Sequence, residues 1–303
     1  MCNKNDGVKM NIPKYIQQSQ SYIALSNQAQ VNHSSARFEN NQWVFDQTEE
    51  IFLYMDNYEK DLNIHINNNA NIKLFLISYN SREIHRNLNV HVDTHGLLKL
   101  FSNYMSKRPT KMFVQRDFYV QASGSLILLN QITYRGFLSL NENIYLKGET
   151  ANLDIDLLNL ASDDDQVYID QHVYHQAKRT YSQIHNWLIA NGDAKLNYVV
   201  NGTIEKGYEK SDCQQLNKGI ILSDKGEIKV IPTLYIDEYD VKAGHGAAIG
   251  QIDENQLFYL KSRGLDEVQA KNLIISGYIN PFITKIKHNK VESLLQRRVQ
   301  RYI

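Results

Sequence analysis

From about Glu50 to about Ile236 the chain is a succession of short apolar runs with a period of two, and this alternation constrains its fold more than any other feature. Ile51-Phe52-Leu53-Tyr54, Leu62-Asn63-Ile64-His65-Ile66, Leu88-Asn89-Val90-His91-Val92 and Leu153-Asp154-Ile155-Asp156-Leu157 are typical. They recur at a spacing of roughly 10 to 15 residues, separated by polar turns, and almost no stretch of helical period interrupts them. The pattern predicts an all-β region of many strands. A sandwich, a barrel and a parallel β-helix all satisfy it. The length without an intervening helix favours a stacked solenoid, although no strict sequence repeat marks the coils.

After about Gly250 the period changes. Asp253 or Glu254 is placed to cap a short helix through Leu257, Phe258 and Leu260, with Gly264 to stop it. Asp266 caps a second helix carrying Val268, Leu273, Ile275, Tyr278, Ile279 and Phe282 at near 3.6-residue spacing, in which Pro281 is expected to kink or break the helix. A third helix, Val291 to Tyr302, is basic through Arg297, Arg298 and Arg301. The apolar faces of this tail call for a covering surface. At the other end, Ile12 to Val31 is rich in Gln and Ser and is expected to hold one weak helix. Three segments follow: 1–35, short and polar or helical; 36–250, the β core; and 251–303, a helical domain.

Composition narrows the function. Lys plus Arg and Asp plus Glu balance at 33 each in 303 residues, so no net field draws the chain to nucleic acid or an anionic membrane. The polar stretch Met1 to Asn11 lacks the apolar core of a signal peptide, and no segment approaches the ~20 apolar residues of a membrane span, so the expected location is the cytoplasm. Cys2, read as an ordinary terminal residue, and Cys213 are the only cysteines, too few for a disulfide framework or a four-cysteine metal site. Any metal must use histidine, carboxylate or a partner's thiolates.

Most chemical motifs dissolve on inspection. Gly202-Thr203-Ile204-Glu205-Lys206-Gly207 has the glycines of a phosphate loop, but Tyr208 stands where the lysine belongs. His172 and His175 point to opposite faces if they lie on a strand, and neither they nor His185 have a carboxylate at ligand spacing. Ser182, His185 and Asp193 make a triad only on paper, without the nucleophile elbow. Asp163-Asp164-Asp165 reads as a solvated turn and Cys213 as a buried inert thiol. The exception is Gly244-His245-Gly246, at the junction of β region and helices. Its flanking glycines allow another chain or a ligand to approach the imidazole, and a tight turn with an exposed histidine is the plainer reading.

Around this point the sequence resembles a known family. Asp240-Val241-Lys242 through His245-Gly246-Ala247, Gly250-Gln251-Ile252-Asp253 and Gln256-Leu257-Phe258-Tyr259-Leu260-Lys261-Ser262-Arg263-Gly264 are similar to the signature of the SufB/SufD core family of iron–sulfur cluster assembly. The likeness runs upstream through His175, Ser182, Gln183-Ile184-His185, Asp212, Gln214, Asn217 and Pro232-Thr233-Leu234-Tyr235-Ile236, and downstream through Ala270, Ile274-Ile275 and Gly277-Tyr278, covering about residues 166 to 283. Leu260 stands where SufB-like chains carry cysteine, and Gly246 where they carry an acidic residue, which places the resemblance on the SufD side.

The resemblance implies a right-handed parallel β-helix followed by a small helical C-terminal domain. It implies a non-catalytic scaffold that pairs with a SufB-like paralogue and docks a SufC-like ATPase. On this reading His245 is a candidate iron or cluster ligand facing a SufB cysteine, the cluster or iron is held transiently and shared with the partner, and Leu257, Phe258, Leu273, Tyr278 and Phe282 bind the ATPase. A self-sufficient homodimeric scaffold, or a cluster or metal carrier, is the alternative. The chain is shorter than is usual in the family, chiefly at the N-terminus, Asn197-Tyr198-Val199 replaces an Asn-Gly pair, and Gln171 to Tyr174 departs from the family pattern. It reads as a reduced, diverging member.

Overall fold

Strands form where the period is two, and nearly all of them pair in parallel with strands one coil away instead of folding into hairpins. The structure is a computed structural model that describes residues 10, 12–106 and 108–302; Cys2 lies outside them. Strands β1 (Tyr22–Ser26), β2 (Gln30–His33), β3 (Arg37–Glu39) and β4 (Gln42–Phe45) are short, and the pairs β1–β2 and β3–β4 are antiparallel. Thereafter the strands alternate between two sheets. Sheet A takes β5 (Glu49–Asp56), β7 (Asn71–Asn80), β9 (Leu97–Ser106), β11 (Ser125–Thr133), β13 (Asn152–Ala161), β15 (Tyr181–Ala190), β17 (Asp212–Ile221) and β19 (Lys242–Gln251), with β1 and β2 at its far edge. Sheet B takes β6 (Leu62–Ile66), β8 (Ile84–Val92), β10 (Thr110–Val120), β12 (Gly136–Leu146), β14 (Gln166–His175), β16 (Lys195–Ile204) and β18 (Glu227–Ile236), beyond β4 and β3. The result is a parallel β-helix of about eight turns.

The β region is therefore longer than the alternation alone shows. Residues 12–31 hold a single helical turn, α1 (Lys14–Gln17), and then enter sheet A directly. Ile23 and Leu25 pair in register with Leu53 and Met55 and join the apolar interior, which overrides the polar composition around them.

Between the sheets, Leu, Ile and Val stack coil upon coil, for example Leu74, Leu100, Leu128 and Ile155 on neighbouring sheet A strands. The interior also carries polar side chains in the same inward positions. Arg116 and Glu142, both buried, form an ion pair. Arg116 Nη1 also donates to Asn130 Oδ1 at 3.1 Å and Ser102 Oγ at 3.2 Å. Burial works against its charge, but Glu142 and Tyr104 outweigh that and raise its pKa. From Glu142 the chain of bonds continues: Gln171 Nε2 donates to Glu142 Oε1 (3.0 Å), and Asn186 Nδ2 to Gln171 Oε1 (3.1 Å) and Asn217 Oδ1 (2.8 Å). Asn217 Nδ2 then reaches the Gly246 carbonyl at 3.3 Å, so the polar spine runs from mid-solenoid to the last strand.

Helices α2 (Glu254–Ser262), α3 (Glu267–Ile286) and α4 (Asn289–Tyr302) follow. Asp253 caps α2 by accepting from Asn255 N at 2.8 Å, and Asp266 with Gln269 forms a capping box on α3. Pro281 does not break α3, which continues through it. It does remove the amide that would bond the Gly277 carbonyl, and a side chain at Gly277 would meet nothing within 4 Å. Of the three aspartates expected in a solvated turn, Asp165 is buried and accepts from Gly136 N at 2.8 Å, and burial pushes its carboxyl up to about 6.

The Arg116–Glu142 pair sets a stability prediction. Glu142→Leu strands a buried guanidinium and is expected to cost about 3–5 kcal/mol in urea unfolding, whereas Arg116→Met with Glu142→Leu removes both charges and costs less. A double variant no more stable than the single one would contradict this.

Candidate functional site

Lys242–Gln251 is built of small residues with little intrinsic preference for a strand, yet it pairs with β17 residue for residue from Asp212↔Lys242 to Ile221↔Gln251. His245 is therefore on a strand and not in a turn or glycine loop. The tertiary template supplied by β17 decides the conformation. In this register His245 stands opposite Gln215, Ala243 opposite Cys213 and Ala247 opposite Asn217. Cys213, Gln215 and Asn217 are the buried, inward residues of β17, so His245 belongs to the inner column of the solenoid. It is exposed because β19 is the last strand of sheet A and, among the described residues, no coil stacks beyond it.

The glycines on either side face the opposite way. A side chain at Gly244 would come within 2.8 Å of Gln214 Oε1, and one at Gly246 would touch Leu216. Their smallness leaves the outer side of β19 shallow, while Asn217 holds the Gly246 carbonyl from within. At this open end Ile231, Tyr235, Tyr239 and Ile249 are exposed as well, with Tyr239 97% accessible. β18 and β19 each present one unpaired edge.

The other histidines and nucleophiles are dispersed. His172 faces outward on sheet B, stacked on Tyr174 at 3.8 Å. His175 is buried, with Nε2 2.8 Å from Ser182 Oγ and Nδ1 2.7 Å from Thr180 Oγ1, and burial lowers its pKa to about 4. It is the partner of Ser182; His185 faces outward on sheet A, 3.6 Å from Asp156, and no Ser182–His185–Asp193 triad forms. Burial pushes the Cys213 thiol up to about 11, which keeps it protonated and unreactive. Among the described residues no group of three or more His, Cys, Asp and Glu is arranged to hold a metal ion.

The helical tail covers the outer face of sheet A. Ile275, Ile279, Phe282, Ile283 and Ile286 of α3 and Val291 and Leu295 of α4 pack on Phe52, Phe75, Phe101, Leu129, Leu158 and Ile189. The apolar stripe that calls for a covering surface thus finds it in the chain's own sheet. Of the five residues read as ATPase contacts, Phe282 is fully buried, Leu257 is 8% accessible and Tyr278 rests edge-on against Trp187 at 5.3 Å. Only Phe258 (75%) and Leu273 (53%) are open to solvent, and the structure adds Tyr259 and Val268 to that surface. Polar clamps fix the tail's position. Lys285 Nζ meets the buried Asp156 at 2.6 Å, and Lys99 and Lys73 donate to the Lys285 and Lys287 carbonyls at 2.6 and 3.0 Å. Burial of Asp156 favours its neutral form, but His185 and Lys285 outweigh this and hold the carboxyl below the usual range. No helix among the described residues is long and apolar enough to cross a membrane.

Comparison with known proteins agrees with this architecture. Residues 57–278 match the family model described as SUF system FeS cluster assembly, SufBD core domain. The chain is 36% identical over 102 residues to the iron–sulfur cluster assembly protein SufD of Bacillus subtilis, which is 34% of this chain and 23% of that protein. It is 34% identical over 97 residues to SufD of Escherichia coli, 32% of this chain and 22% of that protein. A SufBD family protein of Synechocystis is 30% identical over 120 residues, 39% of this chain and 26% of that protein. The chain thus spans about a quarter of the length of the curated relatives it matches.

The Asp156 clamp is testable by pH. A carboxyl whose folded pKa lies below its unfolded value, about 3.9, stabilises the fold above that value and loses this contribution as pH falls through the folded pKa. Asp156→Asn is expected to lower stability by about 1–3 kcal/mol at pH 7, with the gap to wild type closing in thermal melts below about pH 4. A gap of the same size at low pH would exclude the clamp as its source.

Proposed function

Because the chain belongs to the SufBD core-domain family and is SufD-like, an iron–sulfur cluster assembly protein, we propose that it is a non-catalytic scaffold that completes its site against a second chain. The observation that carries this reading is the place of His245, last on the inner column of an open coil and beside an unpaired strand edge. A partner strand laid along that edge would set its own side chains against the imidazole. One neutral histidine binds iron weakly, and the described residues gather no further ligands around it, so the remaining donors have to come from the partner. Thiolates of a SufB-like paralogue have the softness that iron and sulfide require, and the cluster or iron is then a transient cargo shared by both chains. The balanced charge of the chain suits such a protein partner in the cytoplasm better than nucleic acid or a membrane surface.

The second partner is a SufC-like ATPase, docked on the exposed apolar residues of α2 and the first turns of α3, Phe258, Tyr259, Val268 and Leu273. Tyr278 and Phe282 act behind that surface by holding α3 on sheet A, and Leu257 is buried beneath it. Phe258→Ala with Leu273→Ala is expected to weaken co-purification of the ATPase by tenfold or more, on the scale of about 1–3 kcal/mol for a lost anchor residue, without shifting the thermal midpoint. Undiminished capture would place the docking surface elsewhere.

His245→Ala tests the central claim. The side chain is exposed and contributes little packing, so the variant is expected to fold and to assemble with both partners. Iron and acid-labile sulfide on the co-purified complex should fall, and His245→Cys should recover part of them by offering a thiolate. Equal cluster content in wild type and His245→Ala would end the ligand assignment.

A further inference from the structure

Sheet B carries no helix on its outer face among the described residues, and stacked rings such as Tyr119, Tyr145 and Tyr174 stand in a row there. Sheet A is covered, but the cover is not tight throughout. Between α4 and strands β5, β7 and β9 there remains a cavity of about 520 Å³, a size suited to a small organic molecule. Its floor is a patch of six outward residues in register: Tyr54, Ile77 and Asn103 in one row, Asp56, Tyr79 and Met105 in the next. Leu294 and Leu295 of α4 form the roof, and Tyr15 of α1 stands at the side.

Two polar groups break this apolar and aromatic lining. The first is Asp56, the only charged residue among the described ones that line the cavity, with no basic side chain in the lining to pair it. Asn57 Nδ2 donates to its Oδ1 at 2.9 Å, and Ser81 donates to Asn57 Oδ1 from N at 2.8 Å and from Oγ at 3.1 Å, so the turn holds the carboxylate in place. Burial raises the pKa of the Tyr54 phenol, and Asp56 and Tyr15 raise it further, as expected in a negative local field. The second is Asn103, which is 6% accessible and whose Oδ1 has no hydrogen-bond partner among the described residues. A buried acceptor left unpaired carries a cost that a donor on a ligand removes. Asp56 and Asn103 stand two strands and two residues apart, roughly 12 Å between Cα atoms.

We propose that this cavity binds a small aromatic amine with a hydroxyl at its far end. The ammonium sits against the Asp56 carboxylate, among the rings of Tyr15, Tyr54 and Tyr79, which favour a cation. The ring lies between Ile77 and Met105 on the sheet and Leu294 and Leu295 on the helix, a rigid spacer that keeps the two polar ends apart at little entropic cost. The hydroxyl donates to Asn103 Oδ1. The cavity lies on the early coils, whereas His245 is on the last, and its occupancy does not depend on the scaffold reading.

Isothermal titration of the full chain with tyramine tests this. Wild type is expected to bind it with a dissociation constant of about 1 mM or tighter, the range open to a ligand of this size. Tyrosol, in which a hydroxyl replaces the amine, should bind about tenfold more weakly or worse. Tyramine should lose as much on Asp56→Asn, which keeps the shape and the bond from Asn57 but removes the charge. Asn103→Leu removes an unpaired buried acceptor and should keep or raise the thermal midpoint. It should weaken tyramine by about tenfold and leave phenethylamine, which lacks the hydroxyl, unchanged. Leu294→Trp, which fills the cavity from its roof, should weaken both amines. Failure of tyramine to bind at millimolar concentration, tyrosol binding as tightly as tyramine, or undiminished binding in Asp56→Asn would overturn the proposal.

Discussion

Every coil of this molecule is completed by the next one. A single turn of two strands buries almost nothing alone, and its inward leucines and isoleucines leave water only when another turn lays the same residue types on top of them. The two ends of the stack are consequently different from its middle. At the start, the antiparallel pairs β1–β2 and β3–β4 turn the chain back on itself and cap the column. At the finish no such device follows β18 and β19 among the described residues, and the unsatisfied surface there is the place where His245 stands. Structure and candidate chemistry share one origin.

The same stacking explains what the sequence makes legible and what it hides. Alternation reveals strands wherever large apolar residues mark the inner face, and Asp253, Asp266 and Gly264 mark the helix ends. It fails at β19, where glycine and alanine dominate and the only instruction to extend comes from β17. It fails again for Phe282 and Tyr278: an amphipathic helix announces that one face must be covered, but the covering surface is supplied by strands far away in the sequence. The polar spine is hidden from the sequence for a related reason. Arg116 and Glu142, or Asn186 and Asn217, are separated by 26 and 31 residues, one coil, and only a search for polar residues at inward positions recurring at that interval would connect them.

Sheets A and B have divided the work of the surface between them. Sheet A gives up its outer face to the molecule's own helices, with Asp156 and the clamping lysines fixing where they lie. Sheet B keeps its face bare, and its rows of rings and amides are held by cross-strand stacking and hydrogen bonds alone. Partners therefore meet two distinct kinds of relief on one molecule.

α3 is in effect a cantilever. Its last turns are built into sheet A by Ile279, Phe282, Ile283, Ile286 and the Lys285–Asp156 contact, while its first turns carry Val268 and Leu273 out into solvent. Between the two halves, the Gly277 carbonyl lacks its helical donor because Pro281 has none, and glycine adds no side chain to stiffen the spot. A force applied at the free end has its largest bending moment near the support, where the helix is most compliant. Ile275, packed on sheet A just before that point, passes such a load into the solenoid's covering layer.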